Sequence, residues 1–286
     1  MRATKAVLPV AGMGTRFLPV TKAVPKEMLP LVDRPCLAYV IAEAVEAGLG
    51  DIVLVTSRGK SAIEDYFDRS PALEASLAAS GKEALLQEVL SAARLARVVS
   101  VRQQEPRGLG HAVLQAAAAV GNQPFAVILP DDIVDSPIPA IGQLLAVQES
   151  PDQAVVALRA VPREKTNRYG ICAGPSLGPD RIRIEVMVEK PAPETAPSNL
   201  SVVGRYLLPA EIFEILAHTP PGRGGEIQLT DAIAVLAGQG RVQGVMFSGA
   251  HFDTGSPVGL LAASLHYALK HPTYGAETAE LLRRLT

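Results

Sequence analysis

The sequence carries no excess charge of either sign. Its 27 lysines and arginines stand against 29 aspartates and glutamates, a formal net charge of -2. Nothing in that balance drives sequence-independent binding to nucleic acid or to acidic membranes, so any anion must be met by a local cluster. Cysteine is scarce: Cys36 and Cys172 are the two present, far apart and without a CxxC spacing, which argues against a zinc site or a disulfide framework and fits a reducing cytoplasm. No window approaches the roughly 18 apolar residues of a membrane span, and the apolar run in MRATKAVLPV is too short for a signal peptide. Low-complexity tracts, charge blocks and internal repeats are missing too. The chain reads as soluble, cytoplasmic and free of nucleic-acid or membrane partners.

What is present is apolar residues in quantity, 48% of 286, ample for a sizeable core. KAVLPV, DIVLVTS, RVVSVRQ and FAVILPDD are β-rich runs. They alternate with helical spacing in CLAYVIAEAVEAGLG, around ALEASLAASGKEALLQEVLSAARL, and in LGHAVLQAAAAVG. That order predicts a parallel sheet flanked by helices. In the second half QAVVALRAV, RIRIEVMVEKP, NLSVVGRYLL and VQGVMFSG read as strands and PAEIFEILAH, EIQLTDAIAVLAG and PVGLLAASLHYALKH as helices. Strand following strand implies antiparallel additions to the parallel core. PAPETAPSN and TPPGRGG are too short for interdomain linkers, and one domain over 1–286 is expected.

The first strand runs into VLPVAGMGTRFLPVTKAVPKEMLP. Gly12 and Gly14 let the backbone turn and aim successive N–H groups into one concavity, where Arg16, Lys22 and Lys26 add charge, a combination suited to phosphate. A loop at the carboxyl end of a first parallel strand is also where open α/β sheets bind ligands. Two familiar phosphate loops fail here. The dinucleotide fingerprint needs a third glycine where Phe17 stands, and the Walker pattern around Arg58-Gly59-Lys60-Ser61 needs one where Leu54 stands.

Three further clusters follow. VILPDDIVD ends a strand in Asp131 and Asp132, carboxylates that would point into the same crevice and suit Mg²⁺, with Asp253 of HFDTGSP as a further acid from afar; helix capping is the alternative use of an Asp pair. In RQQEPRGLGHAV, Gln103 and Gln104 offer donors and acceptors for a nucleobase edge, and Gly108 permits close approach. His111 starts a helix and has no partner that would make it a base. In VMVEKP, Glu189 and Lys190 face opposite ways on a strand unless Pro191 ends it and turns them together. Glu189 would then suit a sugar hydroxyl pair and Lys190 a sugar phosphate; an exposed ion pair is the alternative.

In their order, AGMGTRFLPVTKAVPKEMLP, QQEPRGLGHAV, LPDD, YGI, VEKP, GRYLL, GEIQLTDAI and FDTGS resemble, nearly end to end, the sugar-phosphate nucleotidyltransferase family and within it the bacterial UTP:glucose-1-phosphate uridylyltransferases. The resemblance implies a Rossmann-like (GT-A-like) mixed, mainly parallel central sheet with added antiparallel strands. It implies that UTP and glucose-1-phosphate give UDP-glucose and pyrophosphate with Mg²⁺, in a homodimer or homotetramer. Ala11, Gly12, Gly14, Thr15 and Arg16 would wrap the nucleotide phosphates with Lys26 reaching them, while Glu27, Gln103 and Gly108 hold uracil. Asp131 and Asp253 would bind the metal. Gly170, Glu189, Lys190 and Gly204 would hold the sugar phosphate, with Glu226 and Asp231 on the sugar side or at subunit contacts. Arg16, Lys26, Lys190 and Asp131 would carry catalysis.

Two positions depart from the resemblance. Thr254 stands where relatives carry cysteine and Pro257 where they carry lysine, and the DTG form occurs in thymidylyl relatives. A thymidylyl- or cytidylyltransferase therefore stays open beside the uridylyl reading, as does a non-catalytic nucleotide-sugar-binding relative. Glu27 of KEMLP, where thymidylyltransferases carry glutamine, favours uridylyl transfer. Because a sugar-1-phosphate oxygen is already ionised, attack on the α-phosphorus needs no general base, only alignment and neutralised charge.

Overall fold

A computed structural model describes residues 2–285. Fourteen strands are present among them: β1 (Lys5–Pro9), β2 (Pro30–Leu31), β3 (Arg34–Pro35), β4 (Asp51–Thr56), β5 (Arg97–Arg102), β6 (Phe125–Ile128), β7 (Asp132–Asp135), β8 (Ala154–Ala160), β9 (Gly170–Ala173), β10 (Arg181–Arg183), β11 (Val186–Glu189), β12 (Leu200–Leu208), β13 (Val242–Met246) and β14 (Ala250–Asp253). Ten of them form one sheet, in the order β10-β13-β8-β12-β6-β1-β4-β5, with β9 joining β12 to β11. The strands β6, β1, β4 and β5 are mutually parallel, and β12 runs against them between β6 and β8. The sheet is thus mixed and mainly parallel, with antiparallel strands added in the second half.

Parallel strands covered on both faces need apolar residues at every position. In β1, Ala6 and Leu8 enter a core with Leu37, Ile41, Ile128 and Leu144, and Val7 enters the opposite one with Val113, Phe125 and Ile233. The first face is covered by the helices Cys36–Glu46 and Ala140–Val147, the second by Leu109–Gln115, Ile212–His218 and Leu229–Gly238.

Several boundaries differ from the sequence reading. The helical stretch around residues 72–95 is two helices, Pro71–Ala79 and Glu83–Arg94, parted at Gly81, whose φ of 68° ends the first. LGHAVLQAAAAVG is likewise divided, at Ala116. RIRIEVMVEKP splits into β10 and β11, which pair with different strands. The main-sheet strand that was expected to end in Asp131 and Asp132 stops at Ile128. After a tight turn, Asp132 opens β7, which pairs antiparallel with β14 in a separate two-stranded ribbon. Asp253 accordingly lies within a strand, directly opposite Asp132.

Candidate active site

The carboxyl ends of β1 and β6 and the β7–β14 ribbon line a long groove. One part, of about 640 Å³, is walled by Arg16, Asp131, Asp132, Gly170, Glu189, Lys190, Gly204, His251 and Asp253; a second, of about 370 Å³, by Ala11, Gly12, Lys26, Gln103, Gly108 and Asp131. Leu109, Leu129, Asp131 and Glu226 border both. Asp131 stands at the junction.

The opening loop is held in three short 3₁₀ turns, Thr15–Phe17, Val20–Lys22 and Lys26–Met28. Gly14 has φ 66°, and a Cβ there would come within 3.1 Å of Lys26 and of Thr21, so only glycine lets the loop fold back on itself. Gly14 and Thr15 shape this turn and line neither part of the groove. Arg16 leaves it to donate Nη1 to the Gly255 carbonyl at 3.3 Å. Lys26 Nζ bonds Asp131 Oδ2 at 2.6 Å. Burial works against the Lys26 ammonium, yet Asp131 and Glu27 outweigh it and hold its pKa above the ordinary lysine value; burial also disfavours the Asp131 carboxylate, and Lys26 overcomes that and keeps its pKa low.

Glu27 is not brought to the groove. It is 2% exposed, with Oε2 on Lys60 Nζ at 2.8 Å, and burial raises its pKa despite Lys60 and Lys26. It stands beneath the loop and holds it down. Lys60, set aside with the failed Walker pattern, is the buried partner that sequence reasoning missed. Its signal was position: Lys60 follows β4, the neighbour of β1, so its loop meets the loop that follows β1.

In the smaller part of the groove, Gln103 donates Nε2 to the Gly108 carbonyl at 3.2 Å and meets His111 Nδ1 at 3.0 Å. Gly108 has φ 100°, and a Cβ there would stand 2.7 Å from Glu226 Cβ and 2.8 Å from the Ile227 carbonyl oxygen, so GLG and GEIQLTD pack backbone on backbone. Glu226 is brought to the junction in this way. In the larger part the chain turns at Lys190, whose φ of 49° lies in the left-handed region, so Glu189 and Lys190 both reach the groove and pair at 3.0 Å. Thr230 donates to Glu189 Oε2 at 2.6 Å. Gly204 has no room for a side chain: a Cβ would stand 2.5 Å from Asp132 Oδ2 and 2.7 Å from Leu129 Cβ.

The residues expected at a metal converge at Gly255. A Cβ there would lie 3.0 Å from Asp131 Oδ2, 3.0 Å from Asp253 Oδ1 and 3.3 Å from Arg16 Nη1. No cluster of three or more metal-ligand side chains gathers among the described residues. Two single carboxylate oxygens facing one point nevertheless fit a hard divalent cation, which takes one or two carboxylates and completes its sphere with water and phosphate oxygens. Burial, Asp132 and Asp131 all raise the pKa of Asp253, the strain of gathering like charges that a cation would relieve.

Thr254 lies buried under this point. Its backbone N–H and its hydroxyl both donate to the Asp131 carbonyl, at 2.8 and 3.0 Å, and it does not line the part of the groove that holds Gln103. The departure at Thr254 therefore bears on the Asp131 backbone. Pro257 opens the helix Pro257–Lys270 behind the Ser256 N-cap, whose Oγ accepts from Gly259 N at 3.2 Å, a position where proline costs nothing.

The family model described as Nucleotidyl transferase matches residues 5–270. The chain belongs to that family. Among relatives, the UTP--glucose-1-phosphate uridylyltransferase of Bacillus subtilis (strain 168) is 48% identical over 266 residues, 93% of this chain and 91% of that protein. One from Staphylococcus haemolyticus (strain JCSC1435) is 45% identical over 98% of each chain. Among solved structures of this nucleotidyl transferase fold, a UTP-bound UGPase from Acinetobacter baumannii superposes with a TM-score of 0.92 at 46% identity, covering 100% of both chains. A UDP-glucose pyrophosphorylase complexed with UDP-glucose gives a TM-score of 0.86 at 42% identity, covering 95% of this chain and 100% of the other.

Proposed function

We propose that this chain transfers a uridylyl group from UTP to glucose-1-phosphate, giving UDP-glucose and pyrophosphate. The observation that carries the reading is a groove in two parts, one lined by Gln103 and Gly108, the other by Gly170, Glu189 and Lys190, with Asp131 bordering both. The similarity to uridylyltransferases over nearly the whole chain supports the choice of UTP. Retention of Arg16 and Lys26 disfavours a non-catalytic relative.

In this reading the uracil lies against Gln103 and Gly108, the triphosphate under Ala11 and Gly12, and the glucose against Gly170, Glu189 and Gly204. Lys190 holds the sugar phosphate so that one of its oxygens faces the α-phosphorus in line with the departing pyrophosphate. Arg16 and Lys26 neutralise the charge on that pyrophosphate, Lys26 exchanging Asp131 for phosphate oxygens. Asp131 and Asp253 hold Mg²⁺, which supplies charge neutralisation at the reacting phosphate. Glu27, with Lys60, sets the height of the loop. Exposed Val258, Leu261, Leu269, Leu281 and Leu285 on the last two helices support association of copies as a homodimer or homotetramer. The free, buried Cys36 and Cys172 support a cytoplasmic setting, and no helix among the described residues is long and apolar enough to cross a membrane.

The test is pyrophosphate release from the purified chain with glucose-1-phosphate and UTP, dTTP, CTP or ATP in parallel, with EDTA and no-sugar controls. Release with UTP that needs both sugar and metal is expected. A preference for dTTP would move the protein to the thymidylyl branch. Silence with all four nucleotides, in a chain that still binds UDP-glucose, would make it a non-catalytic relative.

A further inference from the structure

Asp131, Asp132 and Asp253 line the same part of the groove, and two of them, Asp131 and Asp253, come within 3.0 Å of the Cβ position of Gly255. Asp132 and Asp253 are directly opposed on the β7–β14 ribbon, a register that places like charges side by side and is unfavourable unless one is drawn away. His251 sits two residues before Asp253, on the same face of β14, and its Nε2 bonds Asp132 Oδ1 at 2.7 Å. The other ring nitrogen, Nδ1, lies 3.0 Å from Arg159 Nη1, which also reaches the His251 carbonyl oxygen at 3.4 Å. A guanidinium can only donate, so Nδ1 accepts and the hydrogen is carried on Nε2, directed at Asp132. The second oxygen of Asp132 rests over Gly204, 2.5 Å from where a Cβ would stand. Asp132 Oδ1 is thereby held by His251, Oδ2 lies against the backbone of Gly204, and neither is among the three atoms nearest the Cβ position of Gly255, which are Asp131 Oδ2, Asp253 Oδ1 and Arg16 Nη1.

We propose that Arg159 and His251 form a positioning relay that holds Asp132 out of the metal site, leaving Asp131 and Asp253 alone to face the cation. Two carboxylates leave coordination positions for water and substrate phosphate oxygens; a third would take one of them and strengthen the hold of the empty protein on its metal. The relay keeps the site open to substrate. Arg159 and His251 line the same part of the groove, and in this scheme their effect on the cation is indirect. They act through Asp132.

The proposal rests on the uridylyltransferase reading for turnover alone, and metal binding tests it separately. Mn²⁺ binding to the substrate-free protein, followed by the EPR signal of the free ion, is compared across His251→Ala, His251→Gln, Arg159→Met, Asp132→Asn and Asp131→Asn, alongside UTP-dependent pyrophosphate release. His251→Ala should bind Mn²⁺ about tenfold more tightly, because Asp132 is free to join the site, while kcat falls and KM for glucose-1-phosphate changes little. Both effects should disappear in the double variant His251→Ala/Asp132→Asn. His251→Gln, which keeps a donor and an acceptor, should bring Mn²⁺ binding back to the wild-type value. Arg159→Met, at an exposed position, should move in the same direction as His251→Ala and carries the test if His251→Ala does not fold. Asp131→Asn should lose Mn²⁺ binding, and Asp132→Asn should retain it. Weaker or unchanged Mn²⁺ binding in both His251→Ala and Arg159→Met overturns the relay, as does loss of binding in Asp132→Asn, which would make Asp132 a ligand. A wild type that binds Mn²⁺ through Asp131 yet releases no pyrophosphate would overturn the function and leave the relay standing.

Discussion

Arg205 is fully buried and forms a two-pronged pair with Glu43, Nη2 to Oε2 at 2.6 Å and Nε to Oε1 at 3.1 Å. Glu43 Oε1 also accepts from Ile141 N at 3.0 Å, and Arg205 Nη1 reaches the Leu129 carbonyl at 3.4 Å. One ion pair thus ties the helix Cys36–Glu46, the start of the helix Ala140–Val147 and the turn leading to Asp131. Removing one partner strands a buried charge: Glu43→Ala should cost about 3–5 kcal/mol in urea unfolding, and Glu43→Leu/Arg205→Met should recover most of it. A single variant within about 1 kcal/mol of wild type would show that water reaches the pair. Asp253 behaves oppositely, because burial, Asp132 and Asp131 raise its pKa. At pH below its unfolded value both states are protonated and no penalty arises. As the pH rises through the folded pKa, the native state must ionise Asp253 in poor company and stability is lost. Metal-free Asp253→Asn should therefore melt with the wild type at acid pH and roughly 1–2 °C above it near neutrality, the screened remnant of a partly exposed group. Equal melting at both pH values would deny the strain. Neither Arg205 nor Glu43 could be singled out from the sequence, since burial of a charge depends on what packs over it.

The elements most legible in the sequence are those whose environment is uniform along their length. KAVLPV, DIVLVTS and FAVI are covered on both faces, so a continuous apolar run suffices to reveal them. The ribbon is different. DIVD is four residues long with an aspartate at either end, too short to show a period, and it pairs with a segment some 120 residues away. Asp131 was legible as the end of an apolar run; its meeting with Asp253 was written only in the register. Gly204 shows how tightly the ribbon is seated, since Leu129 N donates to its carbonyl at 2.7 Å and its missing side chain makes room for Leu129 and Asp132. Gly204→Ala should force the turn from Leu129 to Asp132 outward, costing about 1–3 kcal/mol of stability as an overpacked site does and lowering kcat on the order of 100-fold through misplacement of Asp131. Thermal melting and steady-state kinetics together check this. A variant that is less stable but fully active would mean that the turn shifts without carrying Asp131 with it.

Across the molecule, the order of motifs along the chain foretold a single groove because each block follows a strand of the sheet: the opening loop after β1, QQEPRGLG after β5, LPDD after β6 and VEKP at the end of β11. What the order could not give is that the groove has two parts sharing a border at Leu109, Leu129, Asp131 and Glu226. That shared border has a thermodynamic consequence. A ligand spanning both parts loses translational freedom once, whereas two fragments occupying them lose it twice, so a covalent link adds affinity beyond the contacts of its halves. UDP-glucose should accordingly stabilise the protein against heat more than UMP and glucose-1-phosphate supplied together at the same concentration. At about 100 times its Kd it should add about 2.7 kcal/mol to the unfolding free energy. Differential scanning fluorimetry with the three ligands, singly and in combination, measures the difference. If UMP alone equals UDP-glucose, the sugar side contributes no binding, and Glu189 and Lys190 serve only the transition state. If the mixture equals UDP-glucose, the two parts of the groove are occupied independently and the junction at Asp131 does not join them in the bound state.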